Sequence, residues 1–128
     1  MICAVIFDFD DTLIDNSWLD YEGFLRPCEK LGIPIPTYEK IINFRKNGLL
    51  AKDIAIKLKT DTSSKFSISQ FLEFRNTFLQ SSGSIQFLTL RVGTKNLLTF
   101  LKLKKIKCFI CSVRKNKNII KKFLTKNR

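Results

Sequence analysis

The chain has 128 residues, 45% of them hydrophobic, twelve phenylalanines, no histidine and a net charge of +12. That length suits one folded domain, or a small core carrying an insertion, and the apolar content excludes an intrinsically disordered chain. The longest apolar run, Ile2 to Phe7, falls far short of the roughly 20 residues of a membrane-crossing helix, and no basic lead-in or long apolar core marks a secretory signal; a cytoplasmic protein with no membrane partner is expected.

Ile2 to Phe7 is six apolar residues in a row, which predicts a strand buried on both faces. It runs into Asp8-Phe9-Asp10-Asp11-Thr12-Leu13. Side chains two apart on a strand point the same way, so Asp8 and Asp10 leave its carboxyl end side by side. Carboxylates that close repel, and they are kept where a cation or a shared proton relieves them. The carboxyl end of a parallel strand is also where open α/β sheets bind ligands. A plain turn and helix cap would also place acids there, but the whole string behind a buried strand outweighs that reading.

Asn16 to Leu31 carries Trp18, Tyr21, Leu25 and Cys28 at helical spacing, and the run from Gly32 to Pro36 breaks it. A second helix is predicted from Thr37 over Ile41, Ile42 and Phe44 to Gly48. Leu50, Ile54 and Leu58 mark a third, and residues 61–65 a loop. Ser67 and Gln70 form a capping-box pattern that opens a fourth, with Ile68, Phe71, Leu72 and Phe78 inward. Ser81 to Ser84 reads as a flexible link.

Arg91 to Thr94 reads as a turn and N-cap, followed by a helix carrying Leu97, Leu98 and Leu101, with Lys104-Lys105 at its end. Ile106 to Cys111 is a second short strand with Ser112 at its tip, and Asn118 to Leu124 one more short helix. Cys108 and Cys111 are three apart on that strand and face opposite sides, so they neither chelate one ion nor close a disulfide. With no histidine, zinc is disfavoured, and all four cysteines (Cys3, Cys28, Cys108, Cys111) are expected to be small buried hydrophobes.

The stretch from Asp8 to Leu13 behind its strand resembles the first motif of the haloacid dehalogenase superfamily of aspartate-nucleophile phosphohydrolases. An acid at the place of Asp10 is similar to the phosphatase branch; Asp11 stands where many members have glycine. The segment over 90–118 is similar to the second motif, a strand ending in serine or threonine, although Val113-Arg114 replaces the common Asn-Lys. The resemblance implies an α/β fold: a partial Rossmann-like parallel sheet (residues 1–14 and 89–128) with an inserted α-helical cap (15–88). It implies Asp8 as nucleophile, Asp10 as general acid and base, and Thr12, Ser112, Arg114 and Lys115 around the phosphate. It further implies Mg²⁺ on the Asp8 carboxylate and the Asp10 carbonyl oxygen, and a small phosphomonoester as substrate.

Charge sets this against a second possibility. Up to Glu73 there are nine basic and eleven acidic residues, net −2; from Phe74 onward there are fourteen basic residues and no acid, net +14. The family's later acidic motif and its lysine are not found after Ser112, so a front half, completed by a second chain or a missing C-terminal half and impaired on its own, is expected. The alternative is a non-catalytic module whose Lys102, Lys104, Lys105, Lys107, Arg114, Lys115, Lys117, Lys121 and Lys122 bind nucleic acid or an acidic partner. No recognised nucleic-acid motif accompanies them, which disfavours it.

Overall fold

A computed structural model describes residues 2–127. The elements run β1 (Ala4–Asp8), β2 (Ile14–Asp15), α1 (Ser17–Leu31), α2 (Tyr38–Lys46), α3 (Ala51–Asp61), α4 (Ile68–Gln80), a 3₁₀ turn (Ser82–Phe87), β3 (Thr89–Leu90), α5 (Thr94–Leu103), β4 (Lys107–Cys111) and α6 (Lys117–Lys126). They form two compact units: Ser17–Ser84, and the segments before and after it. Among the described residues no helix is long and apolar enough to cross a membrane.

In the discontinuous unit β1 lies parallel to β4, with Ala4 opposite Lys107, Ile6 opposite Phe109 and Asp8 opposite Cys111. A parallel pair needs a crossover, and α5 lies in that connection. β2 pairs antiparallel with β3. The Leu13 carbonyl accepts from the Arg91 N–H (3.1 Å) and the Thr94 hydroxyl (3.0 Å), fastening the turn after β1 to the start of α5. Phe9, Leu13, Ile14, Leu88, Leu101, Ile119 and Phe123 are buried, and the Phe9 and Phe123 rings meet edge to face at 5.9 Å.

Several sequence expectations change here. β1 is not buried on both faces: Ile6 is 70% exposed, and Phe109 beside it 52%. Among the described residues β1 has β4 as its single sheet neighbour, and nothing covers the Ala4–Ile6–Asp8 face. An apolar run shows that a strand can be buried, not that a neighbour is there to bury it. For the same reason Cys108 and Cys111, like Cys3, are exposed; Cys28 alone of the four is buried. On α5, Leu97 is exposed and Leu101 carries the packing. Within the turn before α5 the N-cap is Gly93, at φ 86°, and the buried Thr94 spends its hydroxyl on the Leu13 carbonyl.

The helical unit packs α1 to α4 around Phe24, Cys28, Ile41, Ile54, Ala55, Leu58, Phe66 and Phe71. Thr37 caps α2 by accepting from the Lys40 N–H, and Gly48 follows that helix at φ 77°. Ser67 caps α4 by accepting from the Gln70 N–H. Gly23 lets α4 close on α1; a Cβ there would stand 3.2 Å from Leu79 Cδ2. The buried stripe of α1 is Leu19, Gly23, Phe24, Pro27 and Cys28 rather than the one read through Trp18, because Trp18 stacks on Tyr38 at the surface (4.3 Å between rings). Ser81–Ser84 is no flexible link, since Ser84 is buried and its hydroxyl donates to the Ser81 carbonyl at 2.7 Å.

One charged cluster stands against this apolar core. Asp20 accepts from Arg45 Nε and Nη2 (both 2.7 Å) and from Arg75 Nη2 (2.6 Å). Arg75 lies over the Phe24 ring at 4.8 Å. Burial alone would raise the Asp20 carboxyl, but the hydrogen bonds and charge of the two guanidiniums outweigh it and hold its pKa below the ordinary 3.8.

Candidate functional site

The site is built by two strand ends and the turns that leave them. The register that sets Asp8 opposite Cys111 makes Ser112 the next residue along, so the tips of β1 and β4 finish level. Beyond Asp8 the chain turns back on itself, the Phe9 carbonyl accepting from the N–H groups of Leu13 (3.1 Å) and Ile14 (3.2 Å). This turn carries Asp10, Asp11 and Thr12. It puts Asp11 at φ 58°, the left-handed region where glycine is free of strain and aspartate is tolerated; that is a physical reason for glycine to be common at this position.

Asp10 is the most heavily engaged acid of the site. Arg114 reaches it with Nη2 on Oδ1 and with Nε on Oδ2 at 3.2 Å, a two-pronged grip of guanidinium on carboxylate. Asn16 Nδ2 adds a longer bond to Oδ1 at 3.4 Å. The pair is sheltered: the Arg114 side chain is 11% exposed and that of Asp10 27%. The Arg114 N–H donates to Ser112 Oγ at 3.1 Å, so serine and arginine are locked together at the end of β4. A cavity of about 320 Å³ lies between the end of β4 and α6, lined by Ile110, Cys111, Ser112, Lys117, Ile120 and Lys121 and not by Asp8, Asp10 or Arg114.

Asp8, Asp10, Ser112 and Arg114 are thus brought to one end of the sheet. Thr12 and Lys115 are exposed, and neither is joined to another side chain by a hydrogen bond or ion pair among the described residues. Asp11 stands near Arg91 (3.8 Å); burial raises its carboxyl above the ordinary value despite that arginine. Two contributors lie outside the motif. Asn16 has only its position just past the acidic turn to mark it, and Lys117 is one more lysine in a lysine-rich tail.

Magnesium takes oxygen ligands, usually one or two carboxylates with water and phosphate oxygens making up six. Both carboxylate oxygens of Asp10 are held by Arg114. Among the described residues no three acidic, cysteine or histidine side chains come together as a metal-binding group. Asp8 and one main-chain carbonyl remain. These are the two protein ligands that the resemblance implies, and with water and phosphate oxygens they would hold the ion; no chemical step below is routed through it.

Comparison with known proteins agrees with the architecture. The haloacid dehalogenase-like hydrolase family matches residues 5–128. A HAD-superfamily hydrolase of subfamily IA, variant 1, from Geobacter sulfurreducens superposes with a TM-score of 0.74 at 15% identity, over 98% of this chain and 59% of that one. A haloacid dehalogenase-like family protein from Streptococcus pneumoniae does so with a TM-score of 0.65 at 22% identity, over 98% and 58%. The chain therefore spans about six-tenths of the length of these two solved structures. No curated protein matches it. With its sequence matched over nearly its whole length and its fold shared by both structures, the chain belongs to the haloacid dehalogenase-like hydrolase family.

Proposed function

We propose that the strand-tip site is a phosphoryl-transfer site acting on a small phosphomonoester. The observation that supports this reading is the parallel register of β1 and β4, which sets Asp8 opposite Cys111 with Ser112 one residue beyond, while Arg114 spans from Ser112 to Asp10.

An Asp8 carboxylate oxygen attacks phosphorus; the O–P bond to Asp8 forms and the ester P–O bond breaks. Protonated Asp10 gives its proton to the departing alkoxide oxygen. Water then attacks the aspartyl-phosphate, Asp10 takes a proton from it, and the Asp8 oxygen leaves. Ser112 Oγ and neighbouring main-chain N–H groups hold a non-bridging phosphoryl oxygen, and Thr12 and Lys115 are proposed to serve the same phosphate. The helical unit Ser17–Ser84 is proposed as the cap that selects the substrate.

Two features argue for slow turnover. Asp10 must be released from Arg114 before it can donate a proton, and no acid follows Glu73 to organise a metal. We also propose a second polypeptide on the open face of the β1–β4 pair, supported by the exposure of Ile6 and Phe109. A cytoplasmic setting is part of the same reading. The test is hydrolysis of p-nitrophenyl phosphate by the purified chain and by Asp8→Asn. Slow turnover that Asp8→Asn abolishes is expected; no turnover, or turnover that survives the substitution, contradicts the proposal.

A second reading keeps one observation in its favour. Lys102, Lys104, Lys105, Lys107, Lys115, Lys117, Lys121 and Lys122 are all exposed, in a stretch of sequence that carries no acid after Glu73. Arg114 is not available to this surface, being held on Asp10. A nucleic acid or acidic protein bound there would be released steeply by salt; absence of binding to DNA or RNA at low salt removes this reading.

A further inference from the structure

We propose that the foot of the β1–β4 pair is a binding groove for a single-chain amphiphilic anion, a molecule with one apolar tail and one negatively charged head. The groove lies at the opposite end of the strands from Asp8 and Ser112, and the inference stands independently of the phosphoryl-site reading.

The floor of the groove comes from three segments. Ile2 precedes β1, Phe100 lies near the end of α5, and Ile106 precedes β4. With Lys104, Lys105 and Lys107 they line a cavity of about 720 Å³. A smaller cavity of about 400 Å³ shares Lys105, Ile106 and Lys107 and reaches Leu98 and Lys102. Ile2 is 71% exposed and Phe100 53%, so the floor is open to a ligand. Ala4 and Lys107 are register partners at the start of the strands, Asp8 and Cys111 at their ends. Four steps of about 3.3 Å along a strand put roughly 13 Å between the groove and the strand-tip site.

Concave sites with apolar walls and a few placed charges take ligands of matching make-up. Here the charges are all positive: Lys102, Lys104, Lys105 and Lys107 are exposed, in a stretch that carries no acid after Glu73. Lysine stems extend an apolar wall while their ammonium groups stay in water. A tail laid over Ile2, Phe100 and Ile106 therefore brings a negative head among the ammoniums.

The turn that presents these lysines is fixed by hydrogen bonds. The Ile106 N–H donates to the Leu101 carbonyl (2.9 Å) and the Lys105 N–H to the Lys102 carbonyl (3.0 Å), the Schellman ending of α5. Its left-handed position usually goes to glycine; here it is Lys105, at φ 57°. A lysine there carries a backbone strain that glycine would avoid, and it adds charge to the rim. A second copy of the chain fits poorly, since it brings the same lysines against these. A nucleic acid would pair with the lysines and leave the apolar floor uncovered.

Calorimetric titration of the full chain with sodium dodecanoate, kept below its micelle concentration, tests the proposal. Saturable one-to-one binding is expected. Sodium acetate, which lacks the tail, and dodecyltrimethylammonium, which reverses the head, should each bind at least about tenfold more weakly. Phe100→Ser, and Lys104→Glu combined with Lys107→Glu, should each weaken dodecanoate by about tenfold or more. A measurement on the parent chain fixes the place without any substitution: dodecanoate should slow alkylation of Cys3, which lines the groove, and leave Cys111 at the other end of the strands unchanged. Equal binding of both head charges would mean an unselective apolar surface and overturns the inference. So does binding that survives both sets of substitutions, protection of Cys111 without Cys3, or no binding of dodecanoate. Attachment to vesicles of phosphatidylcholine and phosphatidylglycerol without binding of dodecanoate would assign the patch to a membrane surface instead, and overturns it as well.

Discussion

Asp10 has two demands on one carboxylate: it is neutralised by Arg114, and in the proposed reaction it must carry a proton. Both of its oxygens are taken up by the guanidinium fork, so the contact that holds the resting site must open before the acid step. Its neighbour Asp11 shows a smaller conflict, a side chain held at φ 58°. Replacing it by glycine removes that backbone cost and also the weak Arg91 pair, whose members are well exposed. Asp11→Gly is therefore expected to stabilise the chain by up to about 1 kcal/mol, read as a higher urea midpoint; a clear loss of stability would mean the side chain is needed. The cysteines give a second check on residue environments. Burial pushes the Cys28 thiol up to about 11, while Cys3, Cys108 and Cys111 are exposed. Rapid labelling of those three by a thiol reagent is expected, with Cys28 reacting only on unfolding; a single reactive thiol would contradict the open strand face.

Among the elements, α1, α2 and α4 meet at Asp20, where one carboxylate serves two arginines. Asp20→Asn leaves two guanidiniums facing each other without a full countercharge. A wholly buried pair broken this way costs about 3–5 kcal/mol; Asp20 keeps 19% exposure, so a loss of about 2 kcal/mol is expected. The pH dependence follows from the sign of the shift. The folded pKa lies below the unfolded value of 3.8, so the contribution is complete above that value and is lost as pH falls through the folded pKa. Urea midpoints measured downward from neutral pH should drop more steeply in the parent chain than in Asp20→Asn below about pH 4; parallel curves would remove Asp20 from the account.

The helices were legible because each has local punctuation: Thr37 and Ser67 as caps, Gly48 as a stop, and apolar residues every three or four positions. The parallel β-α-β arrangement could likewise be read from two apolar runs separated by a helical one. Placing Asp8 and Ser112 at strand ends needed only alternation along each strand. The grip of Arg114 on Asp10 joins residues 104 apart in sequence, and no local pattern contains it. What an apolar run cannot report is the presence of a neighbour, which is why β1 was expected to be buried and is half open.

At the scale of the whole molecule, an open apolar strand face and a strongly positive charge act in opposite directions. Ile6 and Phe109 are register partners on that face. Exposed strand edges invite pairing with other chains, while a net charge of +12 keeps copies apart. Salt screens the repulsion and leaves the apolar attraction, so self-association in sedimentation experiments is expected to increase with ionic strength. Ile6→Lys combined with Phe109→Lys should abolish it; association that weakens with salt and ignores these substitutions would place the contact elsewhere. The same face is where a second polypeptide is proposed, and about four-tenths of the length of each of the two solved relatives lies outside the match.

The central claim is that Asp8, at the tip of β1 beside the β4 end that carries Ser112, takes a phosphoryl group. Intact-mass analysis of acid-quenched protein after mixing with p-nitrophenyl phosphate addresses it most directly. The account predicts an adduct of one phosphoryl group on the peptide containing Asp8, removed by hydroxylamine and missing from Asp8→Asn. An adduct that persists in Asp8→Asn, or none in the parent chain, would contradict it.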